Sequence, residues 1–238
     1  MRSYDLDLQR YDTDKVRSGY LERYDPVLEP WLEKDIVLLE LGVRAGGSLE
    51  LWSDYFPSAT VVGVDVALPP GFTRRDRIHV FEGSQADRGF LTRVANEVAP
   101  AGFDIIIDDA SHIGELTRIA FWHLFEHHLK PGGLYVIEDW GTGYFDDWPD
   151  GRSIAPRLLD AVSPKKQLFW RRIARRLGVK QRWRSHDYGT VGLIKQLVDE
   201  QGAYDATSRM SHGRPTRPSK FQQMMIVPSI AFFWKAPG

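Results

Sequence analysis

The sequence predicts an α/β fold in which helices cover both faces of a mostly parallel sheet. Two apolar runs, residues 105–107 and 134–137, flank a segment whose apolar residues recur at helical spacing. That segment ends at residues 130–133 (KPGG), which are typical of a helix stop followed by a turn. Strand, helix and strand in succession form a crossover unit, and such units build parallel sheets. A third apolar run, residues 36–39, leads through a glycine-rich turn into another helical pattern.

Apolar runs elsewhere in the chain predict the remaining strands. The predicted strands are residues 36–39, 61–64, 78–81, 105–107, 134–137, 224–227 and 230–234. Further helices are expected at residues 90–98, 153–162 and 188–201. Pro228 separates the last two strands, which we expect to form a terminal pair. The whole pattern predicts a Rossmann-like, doubly wound sheet that is mostly parallel, with an antiparallel C-terminal strand and helices on both faces.

We expect two parts in the chain: residues 1–34 as an N-terminal helical arm, and residues 35–238 as the α/β domain. Residues 1–14 are polar and acidic, whereas residues 15–33 carry aromatic and aliphatic side chains at helical spacing, interrupted by two prolines. This pattern predicts one or two short helices. Their aromatic side chains are expected in the core, where such side chains are usually found.

A basic helical insertion is predicted at about residues 163–186. Residues 165–184 include nine Lys or Arg residues and no acid, and Phe169, Ile173 and Leu177 form an apolar stripe. Three interpretations remain open. The segment is a solvated helix packed on the domain or on another subunit, a cationic lid over an anionic substrate, or a helix at a membrane surface.

Composition excludes several classes of function. The formal net charge of −1 gives no reason to expect nucleic acid as a partner. The absence of cysteine excludes disulfides, thiolate nucleophiles and cysteine-held zinc. The N-terminus lacks the apolar core of a signal peptide, and no run approaches the roughly 20 apolar residues of a spanning helix. We therefore expect a soluble, cytoplasmic protein with no stable membrane insertion.

The glycine-rich turn predicts a nucleotide-type binding site. It runs from Glu40 to Ser48 and includes Gly42, between the first strand and the following helix. Glycines allow the backbone to approach a ligand, and a helix N-terminus favours an anionic group. Asp65 ends the next strand, about 20 residues beyond the turn, where an acid can accept hydrogen bonds from both ribose hydroxyls. The alternative is an ordinary solvated acid at a strand end. Gln85, after the third strand, is a candidate for contact with a base edge.

Two pairs of acids predict a cation site. Asp108 and Asp109 follow one apolar run, and Glu138 and Asp139 follow the next. Adjacent strands lie about 4.8 Å apart, and ligands of open α/β sheets bind beyond the carboxyl ends of the strands. Carboxylates from both ends could therefore share one ion. Oxygen ligands without sulfur suit Mg²⁺, with Ca²⁺ or Mn²⁺ as alternatives.

His112 is the candidate general base. It follows Asp109 by three residues, so it begins the turn that leaves the strand and can face the same cleft. Imidazole is a suitable proton acceptor near neutral pH. The alternative is a helix-capping or buried structural histidine.

These motifs resemble those of class I S-adenosylmethionine-dependent methyltransferases. ELGVRAGGS resembles the first motif of that family. DDASH followed by GGLYVIED resembles the metal-dependent sugar O-methyltransferases of the macrocin and mycinamicin group, whose relatives include rhamnosyl O-methyltransferases and the cephalosporin hydroxylase family. The stretch TDKVRSGYLERYDPVLEPW and the ending PSIAFFWKA also fit that group. Ala110 is a departure, because the group more often has glycine there.

The resemblance implies a role for each matching residue. His112 would be the general base. The implied Mg²⁺ ligands are Asp109, Glu138 and Asp139. The residues implied to contact S-adenosylmethionine are Glu40, Gly42, Ser48, Asp65, Gln85 and Asp108.

The resemblance also implies a function. We expect an S-adenosylmethionine-dependent, Mg²⁺-dependent O-methyltransferase that acts on a hydroxyl of a sugar or glycosylated natural product, in a homo-oligomer. The alternatives are a hydroxylase-like or accessory protein on the same scaffold, and a cofactor-binding protein without activity. Methyl transfer from a sulfonium is an in-line displacement, so the acceptor hydroxyl must become a good nucleophile. A divalent cation that binds this oxygen lowers its pKa and orients it.

Overall fold

The computed structural model describes residues 1–69, 76–145, 147–152, 186–202 and 218–238, and its centre is a seven-stranded sheet. The strands are β1 (Val37–Leu41), β2 (Thr60–Asp65), β3 (Ile78–Glu82), β4 (Phe103–Asp108), β5 (Leu129–Glu138), β6 (Phe221–Val227) and β7 (Ile230–Lys235). Their order is β3-β2-β1-β4-β5-β7-β6. Strands β1 to β5 pair in parallel, β7 is antiparallel to β5, and β6 is antiparallel to β7. The predicted fold class is confirmed.

Apart from a short helix at Pro149–Arg152, where the sequence predicted none, the helices occupy the predicted places. They are α1 (Asp14–Arg17), α2 (Leu21–Leu28), α3 (Gly47–Tyr55), α4 (Arg88–Val98), α5 (Gly114–His127), α6 (Pro149–Arg152) and α7 (Gly189–Gln201). Short 3-10 turns lie at Arg2–Asp5, Leu8–Arg10, Glu29–Trp31 and Trp140–Tyr144. The helix predicted at residues 153–162 and the basic segment at 165–184 lie outside the described residues. Within the described part of the chain, no helix has the length and apolarity needed to cross a bilayer.

The crossover helix ends earlier than the sequence suggested. Helix α5 stops at His127, and β5 already begins at Leu129. Residues 130–133 therefore do not form a turn after the helix. They lie at the start of β5, where its register against β4 shifts and Gly132 adopts a φ of 72°. A proline at an irregular strand start removes no regular ladder bond, so the same KPGG sequence is compatible with a bulged strand.

Alternation along the strands divides the core between the two faces of the sheet. Leu38, Ile105 and Ile107 pack with α2 and α3, whereas Leu39 and Ile106 pack with α4, α5 and α7. Each of these five side chains is at most 1% exposed. Strands buried on both faces read as continuous apolar runs, which is why they were recognisable in the sequence.

The N-terminal region packs against the domain through buried polar contacts. The Asp25 carboxylate accepts hydrogen bonds from the Ser3 backbone N–H at 3.1 Å, the Ser3 hydroxyl at 2.6 Å and the Tyr55 hydroxyl at 2.8 Å. Tyr11 donates to Asp54 of α3 at 2.7 Å. These contacts hold α2 and the residues before α1 against α3, which follows the glycine-rich turn.

Strand order also creates the crevice for the site. After β1 the chain continues to β2 on one side, whereas β4 pairs with the other side of β1. Such a topological switch point leaves a crevice beyond the carboxyl ends of the two strands. Asp109 directly follows β4, so the sequence of connections alone brings it to this crevice.

We expect Asp25→Ala to lower the free energy of unfolding by about 3 kcal/mol, because three buried donors would lose their acceptor. Urea unfolding followed by circular dichroism measures this change. The control is Asp7→Ala, which changes an exposed acid of the same N-terminal region and should stay within about 0.5 kcal/mol of wild type. Equal unfolding midpoints for Asp25→Ala and wild type would show that these contacts add no stability.

Candidate functional site

A cleft of about 550 Å³ opens at the switch point. Such a volume is ample for a small-molecule cofactor, since ligand pockets usually have about 300–1,000 Å³. Of the predicted cofactor residues, four line it: Gly42, Ser48, Asp65 and Gln85. The other lining residues are Asp12, Thr13, Asp14, Val43, Arg44, Val64, Val66, Ala67, Gly83, Ser84, Asp109, Ala110, Ser111, His112 and Leu116. Four predicted cofactor residues therefore share one cleft with Asp109 and His112, whereas Glu138 and Asp139 are not among its lining residues.

The glycine-rich turn is held from both sides. Asp65 Oδ2 accepts hydrogen bonds from the backbone N–H groups of Val43 at 2.8 Å and Arg44 at 3.0 Å. On the other side, Gly42 has a φ of 97°, and a Cβ atom there would lie 2.2 Å from the Asp109 carbonyl oxygen. Only glycine permits this conformation and this approach. The turn therefore contacts both the predicted ribose acid and a predicted metal ligand.

Two predicted cofactor residues lie behind the cleft wall and not in it. Glu40 is fully buried and accepts hydrogen bonds from Ser48 Oγ at 2.6 Å and Trp52 Nε1 at 3.3 Å. Asp108 is 2% exposed and accepts from Gln85 Nε2 at 3.2 Å. Burial raises the pKa of Asp108 to about 7. In this structure both acids hold the residues that line the cleft.

Three donor groups converge where Asp109 and His112 line the cleft. His112 Nε2 lies 3.8 Å from Asp109 Oδ1 and 4.0 Å from Asp139 Oδ2. One ligand atom from each residue lies within 4.8 Å of the others, and all three side chains are partly exposed. The two carboxylates supply the hard oxygen donors that Mg²⁺ prefers, so they fit the predicted ion. The structure thus brings together Asp109, Asp139 and His112.

The predicted metal ligand Glu138 is not part of this group. It is 1% exposed, and it accepts hydrogen bonds from Lys15 Nζ at 2.9 Å and from the Tyr24 hydroxyl. Burial raises the pKa of Glu138 to about 8, although the neighbouring Lys15 opposes this shift. The two oxygens of Glu138 are therefore bonded to the N-terminal region.

Lys15 is a site residue that the sequence analysis missed. Its side chain is fully buried, and its Nζ lies 3.1 Å from Glu40 Oε1, 2.6 Å from Asp109 Oδ2 and 2.9 Å from Glu138 Oε2. Burial alone would lower the pKa of Lys15, but the three carboxylates raise it well above its usual value, so the ammonium remains charged. No local pattern marks this role, because Asp109 and Glu138 lie 94 and 123 residues away in sequence.

The hydroxyls of two tyrosines in the N-terminal region also donate hydrogen bonds to these acids. Tyr20 donates its hydroxyl to Asp139 Oδ1, and Tyr24 donates to Glu138 Oε1. Burial and the bonded carboxylates raise the pKa of each phenol, so both remain donors. Their rings belong to the core, as predicted, but their hydroxyls reach the site.

The backbone of His112 is held in an uncommon conformation. Its φ is 50°, in the left-handed region, and its carbonyl oxygen accepts hydrogen bonds from Thr142 Oγ1 at 3.3 Å and Trp148 Nε1 at 3.2 Å. The Trp148 ring also lies against the imidazole, with centroids 5.8 Å apart. Strained residues of this kind cluster at functional sites, where surrounding contacts must hold them.

The aromatic residues after β5 divide between the site and the core. Trp148 contacts His112, and Phe145 is 54% exposed. Tyr144 packs against His186, with ring centroids 5.0 Å apart. Trp140 instead packs on the core and donates to the Val227 carbonyl oxygen at 3.1 Å, so it anchors this segment to the sheet.

Comparison with known proteins confirms the predicted resemblance. The chain is 38% identical over 151 residues to mycinamicin VI 2''-O-methyltransferase of Micromonospora griseorubida, covering 59% of this chain and 36% of that protein. It is 30% identical over 225 residues to 8-demethyl-8-alpha-L-rhamnosyl tetracenomycin-C 2'-O-methyltransferase of Streptomyces olivaceus, covering 91% of this chain and 50% of that protein. The chain thus spans half or less of the length of these relatives. No family model matches it.

The solved structures lead to the same group. MycE methyltransferase from the mycinamycin biosynthetic pathway, in complex with Mg and SAH, matches with a TM-score of 0.66 and 27% identity, covering 91% of this chain and 48% of that one. A complex of the same enzyme with Mg, SAH and mycinamycin VI matches with the same TM-score. The fold is therefore that of a class I methyltransferase domain.

We expect Asp65→Ala to weaken binding of S-adenosylhomocysteine by about 10- to 100-fold, because a hydrogen bond to a charged group contributes about 1.5–3 kcal/mol. Calorimetry measures the dissociation constant. Glu82→Ala is the matched control, because Glu82 also ends a strand and accepts a loop N–H, from Leu68 at 3.3 Å, but does not line the cleft. Equal affinity for Asp65→Ala and wild type would remove Asp65 from the cofactor site.

Proposed function

We propose that this protein is an S-adenosylmethionine-dependent, Mg²⁺-dependent O-methyltransferase that methylates a sugar hydroxyl of a glycosylated small molecule. One observation carries the proposal. Two carboxylates and a histidine converge at the end of a cofactor-sized cleft, in a chain that is 38% identical to a sugar O-methyltransferase over 151 residues. The relatives named above are all methyltransferases, so the hydroxylase-like alternative is not favoured.

In this proposal the cofactor lies along the glycine-rich turn. Gly42 and Ser48 border the cleft where the chain leaves β1, Asp65 borders it where the chain leaves β2, and Gln85 borders it after β3. Glu40 and Asp108 support these residues from behind by hydrogen bonds to Ser48 and Gln85. The proposed contribution of the two buried acids is therefore to position the lining.

The metal in this proposal is held by Asp109 and Asp139. When bound, it would lower the pKa of the acceptor hydroxyl and orient its oxygen. Glu138 stays a prediction as a third ligand. Both of its oxygens have partners in this structure, so coordination would require Lys15 or Tyr24 to give up a bond.

His112 takes the acceptor proton at Nε2 in this proposal. Its ring is 14% exposed at the cleft, between the two carboxylates that would hold the ion. Thr142 and Trp148 fix its backbone, and the Trp148 ring limits the side chain on one face. The Trp148 ring offers a flat apolar surface beside it, on which a glycosylated substrate can pack. Cytoplasmic location and a homo-oligomer stay predictions.

Metal-dependent methyl transfer is the direct test of the proposal. The purified protein is incubated with radiolabelled S-adenosylmethionine and a panel of rhamnosylated and macrolide-glycoside acceptors. We expect label to enter a sugar hydroxyl, chelator to abolish transfer, and added Mg²⁺ to restore it. Full transfer in the presence of chelator would remove the metal from the proposal. Methyl transfer to aglycones at the same rate would show that the acceptor hydroxyl need not belong to a sugar.

We expect His112→Ala to lower kcat by about 10²- to 10⁴-fold, the usual contribution of a positioned base. Affinity for S-adenosylhomocysteine and the unfolding temperature should stay near wild type. His127→Ala is the control, since His127 is an exposed histidine on α5 outside the cleft. A normal kcat would eliminate His112 as the base, whereas an unfolded variant would support a structural role.

A further inference from the structure

In each of the two proposed metal ligands, one carboxylate oxygen accepts a hydrogen bond and the other lies near His112. Asp109 Oδ2 accepts a hydrogen bond from Lys15 Nζ at 2.6 Å, whereas Asp109 Oδ1 lies 3.8 Å from His112 Nε2. Asp139 Oδ1 accepts a hydrogen bond from the Tyr20 hydroxyl, whereas Asp139 Oδ2 lies 4.0 Å from His112 Nε2. One oxygen of each acid is thus tied to the N-terminal region, and the other faces the gap where the three donor groups converge.

Lys15 and Tyr20 are themselves held in place. Thr13 caps helix α1 by accepting a hydrogen bond from the Lys15 backbone N–H at 3.3 Å, and the Tyr20 backbone N–H donates to the Lys15 carbonyl oxygen at 3.0 Å. Asp12, which precedes Thr13, is also closely packed. A Cβ atom on Gly47 would lie 2.3 Å from the Asp12 carbonyl oxygen. The two donors therefore approach the acids from a fixed segment.

Resting on the function proposed above, we propose that Lys15 and Tyr20 are positioning residues of the metal site. Each binds one oxygen of a metal-ligating carboxylate, so that the opposite oxygens converge on one cation. Neither residue touches the reacting atoms, since Lys15 is fully buried behind Asp109 and Tyr20 lies behind Asp139. Their effect is on the orientation of the ligands and so on the affinity for the ion.

A residue that only stabilises the fold would not change metal affinity at constant stability, and this difference makes the proposal testable. Tyr20→Phe removes one hydroxyl and keeps the buried ring. Partners of metal ligands typically contribute about 10- to 100-fold to metal affinity. Tyr11→Phe is the matched control, because Tyr11 lies in the same region and donates to Asp54, outside the cleft.

The experiment measures Mn²⁺ binding by electron paramagnetic resonance, with saturating S-adenosylhomocysteine and without acceptor. We expect Tyr20→Phe to raise the Mn²⁺ dissociation constant by about 10- to 100-fold. Its affinity for S-adenosylhomocysteine and its unfolding temperature should match those of wild type and of Tyr11→Phe. Lys15→Met, a neutral side chain of similar length, should weaken Mn²⁺ binding at least as much where it folds.

Equal Mn²⁺ affinity in Tyr20→Phe and wild type would overturn the positioning role and leave the proposed function standing. A weaker affinity that is matched by Tyr11→Phe would also overturn it, because the effect would then be a general loosening of the N-terminal region. Absence of Mn²⁺ binding in the wild type would overturn both proposals together, and so the two failures are distinguishable.

Discussion

The buried ammonium of Lys15 holds the acidic edge of this sheet together. Without Lys15, three carboxylates would lie close together in a region shielded from water, and unpaired buried charge is among the most destabilising features a protein can have. Glu40, Asp109 and Glu138 come from β1, from the residue after β4 and from the end of β5, so the ammonium joins three neighbouring strands at their carboxyl ends. The glycine-rich turn, the cleft and the histidine are all arranged around this point.

The N-terminal region is consequently part of the site and not an appendage to it. Its backbone packs on the glycine turn at Gly47, its polar contacts fix it to α3, and its lysine and tyrosines end on the acids. The apolar rings of Tyr20 and Tyr24 supply core packing while their hydroxyls supply polar contacts at the edge. Such amphipathic side chains can connect a core to a site because one end is apolar and the other polar.

The sheet and the acids at its edge were predictable because their signals are local. Continuous apolar runs mark strands buried on both faces, and the residues that follow them must lie at the carboxyl edge. Lys15 and Tyr20 carry no such signal. Their partners Asp109 and Asp139 are 94 and 119 residues away in sequence. The spacing of a lysine or tyrosine in a helix does not distinguish a site residue from a surface or core residue. The KPGG stretch shows the opposite error, since its local turn signal is overridden by pairing of β5 with β4.

The sequence also could not predict how deeply each side chain is buried. Glu40 and Asp108 belong to motifs associated with the cofactor, yet the structure places both behind the lining residues, because alternate residues of a strand point to opposite faces and strand ends differ in how far they extend. A motif identifies which residues gather at a site. Which of them faces the ligand depends on packing between elements that are distant in sequence.

The contact between Gly42 and the Asp109 backbone has a thermodynamic consequence. Gly42 packs on the Asp109 carbonyl, and the Asp109 N–H donates to the Leu41 carbonyl oxygen at 2.9 Å. The turn that borders the cofactor cleft and the proposed cation ligand are therefore in direct backbone contact. A ligand that displaces one of them would therefore act on the other. Coupling of this kind is reciprocal, so the factor by which nucleoside occupancy changes affinity for the ion equals the factor by which the ion changes affinity for the nucleoside.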